Sequence, residues 1–265
     1  MQLRDKVIIV TGAASGIGLA MSKRFIEEGA ARVYLADLND QQLSAAAASL
    51  GDRASTQVCD VTSEEQIQAL VARVITEQGR VDLFCCNAGI ISIDNPLTAT
   101  DEQWQRALGV NLMGHVYSAR AALPYMLERG EGYFLNTASA AGLLNQPCTT
   151  TYAVTKHAAV GFAESLAIEF GDRGIKVSCL CPQAVNTPMV TAGEDEGIKD
   201  GGVAGVNGIM EPEELCDFVV QGLAQESFLI LPHREVQKYM QNKAADYDRW
   251  LLGMRRLKNT MMAEA

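Results

Sequence analysis

Tyr152 and Lys156 stand four residues apart, so in a helix the phenol and the ammonium of Tyr152-Ala-Val-Thr-Lys156 would lie on one face. A cation beside a phenol favours the phenolate and lowers a pKa that is ordinarily about 10. Such a phenol can exchange a proton near neutral pH. Alone the pair is weak, because Tyr and Lys at this spacing also occur by chance on solvated helices. A second stretch offers different chemistry. Thr11-Gly-Ala-Ala-Ser-Gly-Ile-Gly18 lies between an apolar run and a helical pattern. Gly12, Gly16 and Gly18 allow a tight turn, and the backbone through Ser15 and Ile17 can then present amides and a helix N-terminus to a phosphate. An ordinary glycine-rich turn is the plainer reading of three glycines.

Asp37 strengthens the phosphate reading, because it closes the next strand pattern, where a carboxylate can accept hydrogen bonds from both ribose hydroxyls of NAD. It would repel the 2′-phosphate of NADP. Ala13, Ala14 and Leu38 supply no Arg or Lys for that phosphate. NAD is therefore the expected cofactor, with Asp37 as a solvated turn residue the alternative.

These residues need elements to hold them. Lys6–Val10 is short, apolar and β-branched, as a strand buried on both faces should be. Further strands are expected at 32–37, 55–59, 81–86, 132–137, 175–181 and 228–231. Helical patterns lie between them: 19–28, from Asn39, 62–78, 100–129, 151–170 and 212–225, with another in the tail around Trp250. Thr62-x-x-Glu65 and Thr100-x-x-Gln103 have the form of capping boxes. Strands alternating with helices predict an α/β fold, a doubly wound (Rossmann) parallel sheet of about seven strands with helices on both faces. No composition break divides the chain, so one domain is expected over 1–265, with a glycine-rich lid loop at about 189–210 and a tail from about 233 to 265. Ligands of such sheets bind beyond the carboxyl ends of the strands, where the strand order reverses. Gly12–Gly18, Asp37, Asp60, Asn87, Ser139 and the stretch from Pro182 all follow strands, so they should gather on one edge.

The net charge of −10 argues against nucleic acid or an anionic membrane surface as partner, and 48% hydrophobic with 20% charged residues is ordinary for a soluble protein. No apolar run approaches the roughly 20 residues of a membrane span, and no signal-peptide pattern opens the chain. The seven cysteines show no zinc spacing and no Cys-x-x-Cys pair, so no metal is expected. Buried thiols in a reducing cytoplasm are the expected state.

Taken together, Thr11-Gly-x-x-x-Gly-x-Gly18, Asp60-Val61, Asn87-Ala-Gly89, Asn111, Ser139, Tyr152-x-x-x-Lys156 and Pro182…Thr187 resemble the short, single-domain branch of the short-chain dehydrogenase/reductase family over about residues 5–232. The resemblance implies that Asp60 and Val61 contact the adenine and that Asn87, Ala88 and Gly89 line the cofactor's path. It implies that Pro182, the Val185 backbone and the Thr187 hydroxyl meet the nicotinamide end. In the reaction it implies, a secondary alcohol and its ketone interconvert. Tyr152 exchanges the proton, Ser139 hydrogen-bonds the substrate oxygen, and Lys156 lowers the tyrosine pKa and holds the nicotinamide ribose. Asn111 holds a water that extends a proton relay. On residue type alone, Ser139 is also a plausible turn residue and Asn111 a locally bonded helix amide. Cys86 replaces a common Asn, and Gln183 replaces a common Gly; Gln183 either places an amide in the substrate pocket or is merely tolerated.

His115 is expected to be packed rather than a base, His157 lies on another helix face, and His233 shows no partner. Residues 90–97, 143–146 and 189–210 are expected to close a mainly apolar pocket for a hydrophobic or aromatic small-molecule alcohol or ketone. Glu194, Asp195 and Glu196 read as a solvated face. A homotetramer is implied by the family likeness. The tail, with Tyr239, Tyr247 and Trp250, is expected over a neighbouring subunit, over the pocket, or in the core. The competing readings are a non-catalytic NAD-binding subunit and an epimerase or dehydratase of similar fold; the latter usually needs a larger C-terminal domain.

Overall fold

Seven short, mostly apolar runs form a single parallel sheet in the computed structural model, which describes residues 1–195 and 199–264, and side chains outside 192–201 and 261–264. The strands are β1 (Val7–Thr11), β2 (Arg32–Asp37), β3 (Ala54–Val58), β4 (Leu83–Cys86), β5 (Gly132–Thr137), β6 (Ile175–Leu180) and β7 (Leu229–Ile230). Their order is β3-β2-β1-β4-β5-β6-β7, so the winding reverses between β1 and β4.

Both faces are covered, which is why β1, β4 and β5 are buried at successive positions rather than at alternate ones. On one face Ile9, Phe84 and Phe134 pack under α3 (Glu64–Gln78), α5 (Gly114–Arg129) and α7 (Thr150–Phe170). Ile8, Val10, Leu35 and Leu135 face α1 (Gly16–Glu27), α2 (Asp40–Leu50) and α9 (Pro212–Gln225). Six cysteines are buried and Cys148 is half-buried, all as free thiols. Burial raises the Cys86 thiol to about 12, which makes it a packing residue rather than a nucleophile.

Local signals account for most helix ends. Asn39 caps α2 by accepting the Gln42 N–H at 3.0 Å. Thr100 and Gln103 form the expected capping box in front of α4 (Asp101–Leu108). The other expected box is absent. Ser63 caps α3, because Thr62 turns its hydroxyl onto the Asp60 carboxylate at 2.7 Å. The stretch 100–129 is not one regular helix either: Gly109–Met113 adopts π geometry between α4 and α5. The expected loop at 189–210 contains α8 (Pro188–Asp195) and a 3-10 helix (Lys199–Asn207). Glu196 lies outside the described residues, as do the side chains of Glu194 and Asp195. The tail forms α10 (Glu235–Ala245) and α11 (Tyr247–Glu264). Among the described residues no helix is long and apolar enough to cross a membrane.

Candidate active site

The hydroxyl of Thr11, the last residue of β1, ties together the point where the sheet reverses. It donates to the Cys85 carbonyl at 3.3 Å and accepts the N–H groups of Asn87 and Ala88 at 2.9 and 3.2 Å. The Asn87 amide then donates to the carbonyls of Thr11 and Gly12 at 3.1 and 3.3 Å. This knot leaves no room for side chains in the turn. Gly12 has φ +63°, and a Cβ there would lie 2.8 Å from Ala88 Cα. A Cβ at Gly18 would lie 2.1 Å from the Gly12 carbonyl oxygen. Ser15 precedes α1 in extended conformation without a side-chain cap bond, so the first-turn amides of Gly16, Ile17 and Gly18 are available to an anion.

Asp37 is held beside this turn, its two oxygens accepting the N–H groups of Ala14 and Asn39 at 3.1 Å each. The loop after β6 meets the same turn, since a Cβ at Gly16 would lie 3.1 Å from Thr187 Cγ2. Thr187 donates its hydroxyl to the Val185 carbonyl at 3.1 Å, and the Pro182 carbonyl accepts the Ala140 N–H at 2.8 Å. Asp60 and Val61 follow β3, with Val61 buried against Gly114. An uncapped helix N-terminus, a fixed carboxylate and a polar loop on one sheet edge together fit a nicotinamide dinucleotide.

Tyr152 and Lys156 do share a face of α7, with Nζ 5.6 Å from the centre of the phenol ring. Both are buried, and Nζ donates to the Thr137 carbonyl at 2.9 Å. Burial lowers the Lys156 ammonium to about 8, against the opposing pull of Cys179 and Cys181. Burial also raises Tyr152 above its ordinary value, an interaction with Ser139 pulls it down, and Cys181 pushes it up. The expected lowering of the phenol is therefore reversed here: at this separation the cation does not offset the desolvation of a phenolate. Ser139 accepts the Ala141 N–H at 3.1 Å, which opens α6 (Ala141–Leu144).

Asn111 sits in the π segment, fully buried, and its bonds are not local. Its Oδ1 accepts the Ile90 N–H at 2.9 Å, and Nδ2 donates to the Ile90 carbonyl at 2.9 Å and to Thr155 Oγ1 at 3.0 Å. Gly89 is seated between the two polar groups: a Cβ on it would lie 3.2 Å from Lys156 Nζ and 3.4 Å from Asn111 Oδ1. Asn111 from the π segment, Ser139 from the turn after β5, and Tyr152 and Lys156 from α7 thus come to one place. His115 is buried against Asn136 at 2.9 Å, a packed histidine as expected. His233, for which the sequence suggested no partner, accepts the Gln183 N–H at 3.1 Å.

A cavity of about 530 Å³ opens beside Ser139, walled by Leu144, Gln183, Val206, Tyr239 and Trp250 among others. The tail supplies much of the wall. Lys243 donates to the Leu143 carbonyl at 2.7 Å, Trp250 Nε1 to the Leu144 carbonyl at 3.3 Å, and Tyr239 pairs with Asn207 at 3.2 Å. Of the roles open to Tyr239 and Trp250, they therefore take the chain's own pocket, while Tyr247 is exposed. Leu144, Asn145 and Gln146 line the cavity as expected. Residues 90–97 do not line it among the described residues, because Asp94 is drawn onto the start of α7. Asp94 and Thr155 went unforeseen: an Asp in a loop and a Thr in a helix carry no signal when the partner is 57 or 44 residues away.

With this geometry in view, the relatives agree. The family model for short chain dehydrogenases matches residues 6–197. The chain belongs to the short-chain dehydrogenase/reductase family, whose members are oxidoreductases using a nicotinamide cofactor on small molecules. It is 32% identical over 252 residues to 1-deoxy-11-beta-hydroxypentalenate dehydrogenase of Streptomyces exfoliatus, covering 93% of this chain and 90% of that one. It is 37% identical over 195 residues to 2,5-dichloro-2,5-cyclohexadiene-1,4-diol dehydrogenase of Sphingobium indicum, covering 73% and 78%. Among solved structures, a family member from Burkholderia phymatum in complex with NAD matches with a TM-score of 0.86 at 26% identity, covering 94% of this chain and 96% of that one.

Proposed function

We propose that this chain is an NAD-dependent dehydrogenase that interconverts a secondary alcohol and its ketone on a substrate with an apolar body. The observation that carries the reading is the convergence of Ser139, Tyr152 and Lys156, with Ser139 lining an apolar cavity. NAD, held at the Gly12–Gly18 turn and by Asp37, would supply a hydride acceptor for the carbinol carbon. Tyr152 takes the hydroxyl proton, and Ser139 donates a hydrogen bond to the substrate oxygen as its charge changes. Lys156 keeps a cation within the site, and Asn111 fixes the Ile90 and Thr155 segments on either side of it.

Asp37 supports NAD over NADP, since its fixed carboxylate stands where a 2′-phosphate would need a cation. The Burkholderia phymatum relative carries NAD, and the two curated relatives are dehydrogenases of a hydroxypentalenate and of a cyclohexadienediol. The test is NADH absorbance with a panel of secondary alcohols, comparing the parent with Tyr152→Phe. The parent should turn over, and the variant should lose about 10²–10⁴-fold in rate while still binding NAD. Tight NAD binding by the parent without turnover of any alcohol or ketone would instead indicate a binding subunit.

A further inference from the structure

Gln183 stands beside the reacting groups in a way that points to the substrate itself. It lines the same cavity as Ser139, and its side-chain Oε1 is buried with no partner among the described residues. A buried carboxamide oxygen without a partner is costly to keep, and a site that keeps one has a use for it. The residue is held firmly. Its main-chain N–H donates to His233 Nδ1 at 3.1 Å, and the preceding Pro182 carbonyl accepts the N–H of Ala140, the neighbour of Ser139, at 2.8 Å. A backbone N–H can only donate, so Nδ1 of His233 is the acceptor and the neutral ring carries its proton on Nε2. The main chain at Gln183 is thus fixed from the tail on one side and from the Ser139 segment on the other. Leu144, Val206 and Trp250 add apolar wall to the same cavity.

We infer that Gln183 is a specificity-determining residue that hydrogen-bonds a second hydroxyl on the substrate, so that the preferred substrates are diols or hydroxyketones with an otherwise apolar body. A hydroxyl both donates and accepts, so it satisfies the carboxamide whichever of its ends faces inward. This inference rests on the alcohol dehydrogenase reading and narrows it. Gln183 takes no part in moving the proton or the hydride, so its loss weighs on a diol more than on a simple alcohol.

The experiment compares kcat/KM with NAD for cyclohexanol, 1,2-cyclohexanediol and 1,4-cyclohexanediol in the parent, Gln183→Ala and Gln183→Met. Methionine keeps the side chain's length without the amide, which guards against a mere packing defect in the alanine variant. The parent should prefer one of the diols by about tenfold or more, and both variants should abolish that preference, losing more on the diol than on cyclohexanol. A parent without preference for either diol overturns the inference, and so do variants that lose all three substrates equally. Should the parent oxidise none of them, the dehydrogenase reading is decided separately by the wider alcohol panel. Binding of the same three compounds to the NADH complex, followed by protein fluorescence, then decides the role of Gln183: a diol preference lost in Gln183→Met upholds it, and equal binding of diol and cyclohexanol overturns it.

Discussion

The carboxylate of Asp94 accepts hydrogen bonds from both the main-chain N–H and the hydroxyl of Thr151, the residue directly before Tyr152. Helix α7 receives no cap from its own N-cap residue, Thr149. A buried loop carboxylate therefore supplies the missing acceptor and a favourable charge at the helix N-terminus. Asp94→Ala should destabilise the protein by about 1–2 kcal/mol in urea unfolding and lower kcat more than it raises KM. Asp94→Asn, which keeps an acceptor, should recover part of both. An Asp94→Ala variant with parental kcat would show that the start of α7 is positioned without it.

The carboxylate of Asp37 is predicted to decide between cofactors. In Asp37→Ser the repulsion of a 2′-phosphate is gone, and so is the bond to the ribose hydroxyls. The ratio of kcat/KM for NADP to that for NAD should rise by about tenfold or more, mostly through weaker use of NAD. An unchanged ratio in steady-state assays would place the discrimination elsewhere.

His115 makes acid stability predictable. Its ring ordinarily titrates near 6.5, and burial, helped by the Lys156 charge and opposed by Asn136, lowers it to about 4 in the native state. Between those values the unfolded chain binds a proton that the native chain refuses. Stability should fall as pH drops from 6.5 to 4 and be flat in this respect on either side, by on the order of 3 kcal/mol in all. His115→Gln should remove this slope, which urea midpoints at pH 7, 5.5 and 4.5 would show. A parental slope in the variant would assign the acid loss to other groups.

Two glycines of neighbouring helices should respond in opposite ways to alanine. A Cβ at Gly142 in α6 would lie 2.5 Å from the Lys156 carbonyl oxygen, whereas at Gly161 in α7 it would meet nothing within 4 Å. Gly142→Ala should cost about 1–3 kcal/mol and reduce kcat by displacing the Ser139 segment. Gly161→Ala should be neutral or stabilise by up to about 1 kcal/mol. Thermal unfolding of the two variants side by side checks both.

Much of this arrangement was legible in the chain, for reasons that differ by element. The strands were readable because a sheet covered on both faces demands uninterrupted apolar runs, as in Val7–Val10 and Leu83–Cys86. Gly12, Gly18 and Asp37 were readable because each answers a local need: a turn, a close approach, a strand end. The pocket was less so. Residues 90–97 were read as pocket wall, whereas one buried acid in that segment, Asp94, accepts hydrogen bonds from the start of α7. Thr62 and Ser63 compete for the same cap, and the winner depends on Asp60, which captures Thr62. The phenol's shift was misjudged because spacing shows that a cation is near but not how much water has been excluded.

The five π residues around Asn111 set a constraint on length as well as on composition. A π turn amounts to an α-helix with one residue inserted, and each residue turns a helix by about 100°. The helical faces before and after Gly109–Met113 are consequently out of phase with one another. Deleting a single residue there would restore a regular helix, yet it would rotate Asn111 away from Ile90 and Thr155 or swing α5 off the sheet. The constraint along this rod is therefore one of spacing. A change of reading frame by one peptide unit at its irregular turn is the alteration the chain cannot absorb.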